Sequence, residues 1–191
     1  MDPLKISSDR LELRALVSAD VEAVHTVCQD PEIQRWVPIP SPYERQHAEY
    51  FVEQVVPEGW RTDTVYTFGV FPRGGGALIG AANLQPRTEA WEIGYWTAAE
   101  HRGRGYTAET VGALARWAFA QGVDRLEWRA EKGNEASRAV ARKAGFVWEG
   151  TLRAALLSRG TLRDLWIGSL LPSDLGLESA HAYLPAQRAS A

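Results

Sequence analysis

The feature that most constrains the fold of this chain is the stretch EHRGRGYTAE, residues 100–109, in which two arginines alternate with two glycines. The strand pattern AWEIGYWTA precedes it, and apolar residues at helical spacing, among them Val111, Leu114 and Ala118, follow it. A second strand pattern, DRLEWRAE, begins after that helix. Neighbouring strands that are joined through a helix run parallel, so this order predicts a parallel crossover.

The remaining patterns predict hairpins and short helices. TVYTFGVF and ALIGAANL flank the glycine turn PRGGG, and FVWEGTLRAALL and TLRDLWIGSLL flank the turn SRG. One helix is expected to begin at Ser41, because Glu44 follows at the spacing of a capping box, and another at Asn134. The fold class is therefore α/β, or α+β, with a mixed and mostly antiparallel sheet.

The glycine stretch has the properties of an anion site. A glycine loop that opens a helix presents free backbone N–H groups and the positive end of the helix dipole, which favour phosphate. Gly103 and Gly105 allow close approach, and Arg102 and Arg104 add positive charge. A tight turn with solvated arginines is the alternative interpretation. A P-loop and a dinucleotide fingerprint are excluded by spacing, since Ala108 stands where the latter needs its third glycine.

This stretch resembles the acyl-CoA-binding motif of the GNAT acetyltransferases, which is Arg or Gln, two residues, Gly, one residue, then Gly or Ala. Arg102, Gly105 and Thr107 match that register. Thr107 departs from the small residue that usually ends the motif.

A second segment, NEASRAVARKAGF, resembles another signature of the same family through Asn134, Ser137 and Lys143. The segments EIGYW and EGTLR, with RDLWIGSLL, resemble the RimJ/RimL branch. The resemblance covers about residues 8–172, nearly the whole chain.

The resemblance implies the GNAT fold, with about seven strands, a splayed parallel central pair and about four helices. It implies one acetyltransferase domain over residues 1–191, with 172–191 as a tail, and it is compatible with a homodimer. It also implies acetyl-CoA as co-substrate and no metal. The residues expected to bind acetyl-CoA are Trp96, Thr97, Arg102, Gly103, Arg104, Gly105, Tyr106, Thr107, Asn134, Ser137 and Lys143.

Acetyl transfer to an amine needs a base, and Glu92 is the candidate. In a regular strand Glu92, Gly94 and Trp96 share one face, where Gly94 would leave a notch and Trp96 an apolar wall that raises the pKa of a carboxylate. A bulge in this strand, which the family often has, would break that parity. Glu89 and a water chain are the alternatives for the base. The alternative interpretation of Glu92 is a solvated or salt-bridged strand residue without a catalytic role.

The resemblance assigns oxyanion stabilisation to the backbone N–H of Trp96 or Thr97. Many relatives protonate the departing thiolate with a tyrosine, but Ala141 stands at that place. Ser137 is the nearby hydroxyl, and we expect it to act as the acid. A solvent-facing serine in the first helical turn is the alternative.

The acceptor amine is less constrained. Trp36 and Trp60 flank the second helix, where the family's acceptor pocket is walled, and are candidate substrate contacts. Seven acids against three arginines in residues 30–63 would steer a cationic amine, although a solvated helix face is the favoured interpretation. The branch favours a protein N-terminal amine of ribosomal-protein type. Polyamines, aminoglycosides, aminosugars and an acyl-CoA-binding regulator without turnover stay open.

Composition excludes several other classes. The net charge of -3 implies no general attraction to nucleic acid or anionic membranes. No apolar run approaches the roughly 20 residues of a membrane span, and the first 20 residues lack a secretory pattern. The single Cys28 excludes an internal disulfide, and the four histidines lack ligand spacing. These features predict a cytoplasmic protein.

Overall fold

The structure is a computed structural model that describes residues 1–185. Its strands are β1 (Ile6–Ser7), β2 (Leu11–Arg14), β3 (Tyr66–Pro72), β4 (Gly80–Pro86), β5 (Trp91–Thr97), β6 (Leu126–Glu131), β7 (Val147–Ser158) and β8 (Thr161–Leu170). They form one eight-stranded sheet in the order β1-β2-β3-β4-β5-β6-β8-β7. The expected count of about seven is exceeded by β1, a two-residue edge strand.

The helices lie between these strands. They are α1 (Val21–Val27), α2 (Pro31–Trp36), α3 (Arg45–Tyr50), α4 (Val56–Arg61), α5 (Tyr106–Ala120) and α6 (Glu135–Lys143). A π-helical segment, Phe51–Val55, joins α3 and α4 without a break. None of the described helices combines the length and apolar character that crossing a bilayer requires.

The predicted start of α3 is wrong by several residues. The Ser41 hydroxyl donates to Gln34 Oε1 at 2.8 Å instead of capping a helix. The helix begins at Arg45, and the backbone N–H of Glu44 donates to Nδ1 of His47 at 2.9 Å. Residues 40–44 therefore form a loop against α2, which the capping pattern alone could not distinguish from a first turn.

The predicted parallel crossover is confirmed at β5 and β6. Their parallel pairing ends at Ile93 and Trp128, whereas β5 continues to Thr97 and β6 to Glu131. The two strands therefore splay apart over their C-terminal halves. α5 makes the connection and buries Val111, Leu114 and Ala118 completely against the sheet, as the helical spacing predicted.

Trp60 belongs to the core, so its predicted contact with substrate is wrong. Its side chain is 1% exposed, and its indole N–H donates to the carbonyl of Thr67 at 3.0 Å. The rings of Tyr66, Phe68 and Trp117 surround it at centroid distances of 5.0 to 6.4 Å. The end of α4 places this indole between β3 and α5, and it lines neither cleft of the candidate site.

The chain after β8 forms a short 3-10 turn, Pro172–Leu175, and then continues without helix or strand to residue 185. The predicted tail covers residues 172–191, and its last part, 186–191, lies outside the described residues.

Candidate active site

Two clefts meet at the opening between β5 and β6. The loop cleft, of about 560 Å³, is bordered by the stretch from Arg102 to Thr107 and by α6. The apolar cleft, of about 570 Å³, is bordered by α1, α3, the segment after α2 and the sheet. Both volumes are in the range of small-molecule sites. The residues that line both clefts are Trp36, Val37, Tyr95, Trp96, Asn134 and Ser137.

The glycine loop of the loop cleft needs its two glycines. Gly103 and Gly105 have φ values of +75° and +79°, which favour glycine, and Gly105 is the N-cap of α5. A Cβ on Gly105 would lie 3.0 Å from Nζ of Lys143, whereas one on Gly103 would meet no atom within 4 Å. The Lys143 ammonium therefore lies close to the start of α5, where a helix N-terminus and a cation together could hold a phosphate.

Arg10 is a further basic residue at this loop that the sequence analysis missed. Its Nη1 donates to the carbonyl of Arg104 at 3.2 Å, and its guanidinium lies 4.6 Å from the Tyr106 ring centroid. Glu109 holds it through an ion pair of 2.6 Å. Arg10 lies just before β2 and precedes the glycine loop by more than 90 residues in the sequence. No local sequence signal therefore connects it to the loop. The cationic groups around the glycines fit a pyrophosphate.

Arg102 has protein partners. Its Nε donates to the carbonyl of Thr97 at 3.1 Å, and its Nη2 lies 3.0 Å from Oδ2 of Asp30. Asp30 is the N-cap of α2 and accepts from the backbone N–H groups of Glu32 and Ile33. The Arg102 side chain thus ties the loop to α2, and its expected contact with a cofactor stays a prediction.

Thr107, the departure from the family motif, is accommodated by a second threonine. Its Oγ1 lies 2.6 Å from Oγ1 of Thr97 at the end of β5. The branched side chain therefore has a polar partner in the first turn of α5, so the loop keeps its form without a small residue there.

Ser137 lies where the two clefts join, held by three neighbours. Its backbone N–H donates to Oδ1 of Asn134 at 3.0 Å, which confirms Asn134 as the α6 cap. The Trp128 indole N–H donates to Ser137 Oγ at 2.9 Å. The Tyr95 hydroxyl lies 3.0 Å from the Ser137 carbonyl and 3.1 Å from Oγ. Tyr95 is a site residue that the sequence analysis missed, because its partner Ser137 lies 42 residues further along the chain.

Burial raises the pKa of Tyr95 to about 12, so its phenol is neutral at physiological pH. A neutral phenol has one proton, which it can donate to the Ser137 carbonyl. The Trp128 indole can only donate, so it occupies one acceptor position of Ser137 Oγ. The Ser137 hydroxyl proton is then directed to the Tyr95 oxygen or to a ligand in the cleft.

Glu92 lies in the apolar cleft on the expected strand face. The register between β4 and β5 has no shift, so Glu92, Gly94 and Trp96 pair with alternate residues of β4 and share one face. The environment of the carboxylate differs from the expected apolar wall. Its Oε2 lies 2.8 Å from Nη2 of Arg87 and 3.8 Å from Nε of Arg129. The Arg87 approach is an ion pair that lacks hydrogen-bond geometry.

The two backbone N–H groups expected to stabilise the oxyanion, those of Trp96 and Thr97, are directed to opposite sides of β5. The N–H of Trp91 donates to Arg125, on the β6 side, whereas that of Ala98 donates to Ile79, on the β4 side. Alternate residues of a strand direct their N–H groups to the same side, so Trp96 faces β4 and Thr97 faces the opening. Of the two expected donors, Thr97 is therefore the one whose N–H is directed to the opening, and its role stays a prediction.

Trp36 lines both clefts, as expected of a substrate contact, and its indole N–H donates to Glu32 at 3.0 Å.

The acids of residues 30–63 do not create an acidic acceptor side. Among the described residues, none of these seven acids lines the apolar cleft: Asp30, Glu32, Glu44, Glu49, Glu53, Glu58 and Asp63. Several pair with arginines elsewhere, so the favoured interpretation as a charged surface agrees with the structure.

Comparison with known families decides the broader identity, because residues 10–147 match the acetyltransferase (GNAT) domain family. The chain belongs to the GNAT acetyltransferases. It is therefore an acyltransferase enzyme with the GNAT fold, and its structural neighbours include the RimL and RimJ ribosomal-protein acetyltransferases.

Individual relatives lie in the same branch. YdaF of Bacillus subtilis, named a "putative ribosomal N-acetyltransferase", is 38% identical over 95 residues, which are 49% of this chain and 52% of YdaF. The aligned part thus spans about half the length of that relative. A "putative ribosomal-protein-serine acetyltransferase" from Vibrio cholerae superposes with a TM-score of 0.81 at 27% identity, covering 90% of this chain and 100% of that one.

Mycobacterium smegmatis RimJ, solved in complex with CoA-disulfide, shares the fold. It superposes with a TM-score of 0.78 at 21% identity, over 94% of this chain and 90% of RimJ. GNAT neighbours of this chain thus bind CoA.

Proposed function

We propose that this GNAT enzyme transfers the acetyl group of acetyl-CoA directly to the N-terminal amine of a protein of ribosomal-protein type. The observation that carries the proposal is the meeting of the two clefts at Ser137, where β5 and β6 splay. A donor in one cleft and an amine in the other would contact each other there without a covalent enzyme intermediate. The names of the RimL- and RimJ-type neighbours support the protein acceptor.

The loop cleft would hold acetyl-CoA, which supplies an activated thioester when bound. The N–H groups at the start of α5, together with Lys143 and Arg10, would hold the pyrophosphate, and the expected contact of Arg104 stays a prediction. The other expected contacts that line the loop cleft are Trp96, Thr97, Arg102, Gly103, Gly105, Thr107, Asn134 and Ser137, whereas Tyr106 is not among its lining residues. This arrangement would direct the thioester end of acetyl-CoA toward Ser137.

At the junction three groups have separate roles. Glu92 would accept the proton of the acceptor ammonium, directly or through a water. The Thr97 N–H would donate to the carbonyl oxygen as negative charge develops on it. The Ser137 hydroxyl would donate its proton to the departing sulfur and take up the second proton that the amine nitrogen loses as the intermediate collapses. Trp128 would hold the hydroxyl oxygen in place, and Tyr95 would hold the Ser137 carbonyl. Glu92 and Ser137 line the same cleft, which supports this division.

The test offers the enzyme acetyl-CoA and three classes of amine, and follows CoA thiol release and product mass. The first class is peptides with free N-termini and an internal lysine, and the second is the same peptides with blocked N-termini. The third is polyamines and aminoglycosides. We expect one acetyl group on free N-termini and none on blocked peptides. Turnover confined to the third class would replace the proposal with small-molecule acetylation.

A further inference from the structure

The apolar cleft has a lining that is mostly hydrocarbon. Beyond the junction, its walls come from α1, the segment after α2, α3 and the π-helical segment. Their apolar and aromatic members are Val24, Cys28, Val37, Pro38, Ile39, Pro40, Tyr43, Tyr50, Phe51 and Val55, and His47 of α3 also lines the cleft. Burial raises the pKa of the Cys28 thiol to about 12, so at neutral pH this side chain also presents an uncharged surface.

Two carboxylates line the cleft in the described part of the chain, and arginines hold both. Glu131 receives a two-pronged contact from Arg35, at 2.6 and 3.0 Å, and its side chain is 10% exposed. Arg163 lies 3.9 Å from the same carboxylate. Arg35 also lowers the pKa of Glu131 by hydrogen bonding, so it stays ionised and paired.

Two arginines also contact Glu92, Arg87 at 2.8 Å and Arg129 at 3.8 Å, as ion pairs to Oε2 without hydrogen-bond geometry. Arg129 is itself shared with Glu127 at 2.8 Å. Glu92 and Glu131 together carry two negative charges, and four arginines contact them: Arg35, Arg87, Arg129 and Arg163. The surroundings of the cleft therefore offer no surplus of negative charge to a ligand with several ammonium groups.

We infer that the acceptor carries a single amine on an apolar body, and that for a peptide acceptor the N-terminal residue has a bulky apolar side chain. The hydrocarbon walls would cover that side chain, since burying apolar surface is favourable. The polar floor, where Asn83 and Gln85 adjoin Glu92 along paired strands, would face the amine. A polyamine or an aminoglycoside would instead place further ammonium groups against paired carboxylates and hydrocarbon, at a desolvation cost.

This inference rests on the proposed N-terminal acetylation, and the test separates the two. Peptides that differ only in residue 1, with Leu, Phe, Ala or Ser there, are compared by kcat/KM at saturating acetyl-CoA. One methylene in an apolar pocket typically discriminates by about 10-fold or more. We expect the Leu and Phe peptides to exceed the Ser peptide by at least about 10-fold. Equal or reversed values would overturn the inference while leaving N-terminal acetylation intact, whereas no peptide turnover would overturn both.

A pair of exposed tyrosines supplies a matched variant test. Tyr50 lines the apolar cleft and is 64% exposed, whereas Tyr183 is 63% exposed in the C-terminal segment. Tyr50→Ala should reduce the preference for Leu over Ser at residue 1 by several-fold, with an unchanged Kd for CoA. Tyr183→Ala should leave the preference as it is. An unaltered preference in a folded Tyr50→Ala protein, or equal effects of both substitutions, would show that the cleft wall does not select the acceptor.

Discussion

Arg102 and Asp30 form an ion pair of 3.0 Å that joins the glycine loop to the N-cap of α2. The last residue of α2 is Trp36, which lines both clefts. The contact therefore links the region proposed to hold acetyl-CoA with a wall of the apolar cleft. An arginine that the motif suggested as a phosphate ligand is, in this structure, also the connection between two parts of the site.

We predict that Asp30→Asn impairs both clefts, because Asn preserves the helix cap and removes the charge. The KM values for acetyl-CoA and for the acceptor should both rise several-fold, and the free energy of unfolding at pH 7 should fall by about 1 kcal/mol. Glu58→Gln, which breaks a wholly surface ion pair with Arg61, is the control and should change neither KM. A rise in only one KM would show that the pair does not link the clefts.

The pH dependence gives a second measurement for the same variant. Burial would raise the pKa of Asp30, but hydrogen bonds from Arg102 and the Glu32 and Ile33 N–H groups outweigh it and lower the pKa. A carboxyl whose pKa is lower in the folded state stabilises above its unfolded pKa, which is about 3.9. The stability difference between wild type and Asp30→Asn should therefore persist at pH 7 and shrink as the pH falls below about 4 in chemical denaturation.

The two glycines of the loop allow a matched prediction. Gly105→Ala and Gly103→Ala both place a side chain at positive φ, with a similar conformational cost of about 1 kcal/mol. Only the Gly105 Cβ would reach 3.0 Å from Lys143 Nζ, in the space proposed for phosphate. Calorimetry should show CoA affinity falling by more than 10-fold for Gly105→Ala and less for Gly103→Ala. Similar affinities for both variants would place the phosphate elsewhere.

The order of elements in this fold was predictable because each step had a local signal. Glycine turns, strand alternation and the Asn134 cap all depend on neighbouring residues, and the crossover follows from chirality and connection length. The α3 start was not predictable, because Ser41 bonds Gln34, a partner outside its own segment. Trp60 was misassigned for the same reason, since its burial depends on Trp117 in a distant helix.

The residues of the candidate site likewise differ in whether a local sequence signal predicted them. The loop and Ser137 follow from motifs that are continuous in sequence, so they could be named. Arg10 and Tyr95 act through residues far along the chain, at Arg104 and Ser137. The pairing of Glu92 with Arg129 likewise depends on how β5 and β6 splay, which no single-strand pattern specifies.

Tyr95 should act as a positioning residue for Ser137. We predict that Ser137→Ala lowers kcat by about 10²-fold, the lower end for a general acid, with the CoA Kd unchanged. Tyr95→Phe keeps the ring and removes the hydroxyl, so Ser137 Oγ loses one of its partners and kcat should fall by a smaller factor. In the Ser137→Ala background the Tyr95 substitution should add little, because the group it positions is gone. If the double variant's reduction in kcat equals the product of the two single reductions, the two hydroxyls act independently.

Glu92→Gln should reduce the rate at neutral pH by about 10²-fold, because the amide keeps the shape of the carboxylate and cannot accept the ammonium proton. The rate should partly recover at high pH, where solvent deprotonates the amine unaided, and CoA affinity should hardly change. Glu127→Gln is the matched control, since Glu127 pairs with Glu92 across β5 and β6, also contacts Arg129 and does not line the apolar cleft. The profile of kcat/KM against pH, measured for both variants and wild type, decides the point. A Glu92→Gln enzyme with the wild-type rate and profile would move the base to Glu89 or to a water chain, and equal losses in both variants would assign the effect to the arginine network.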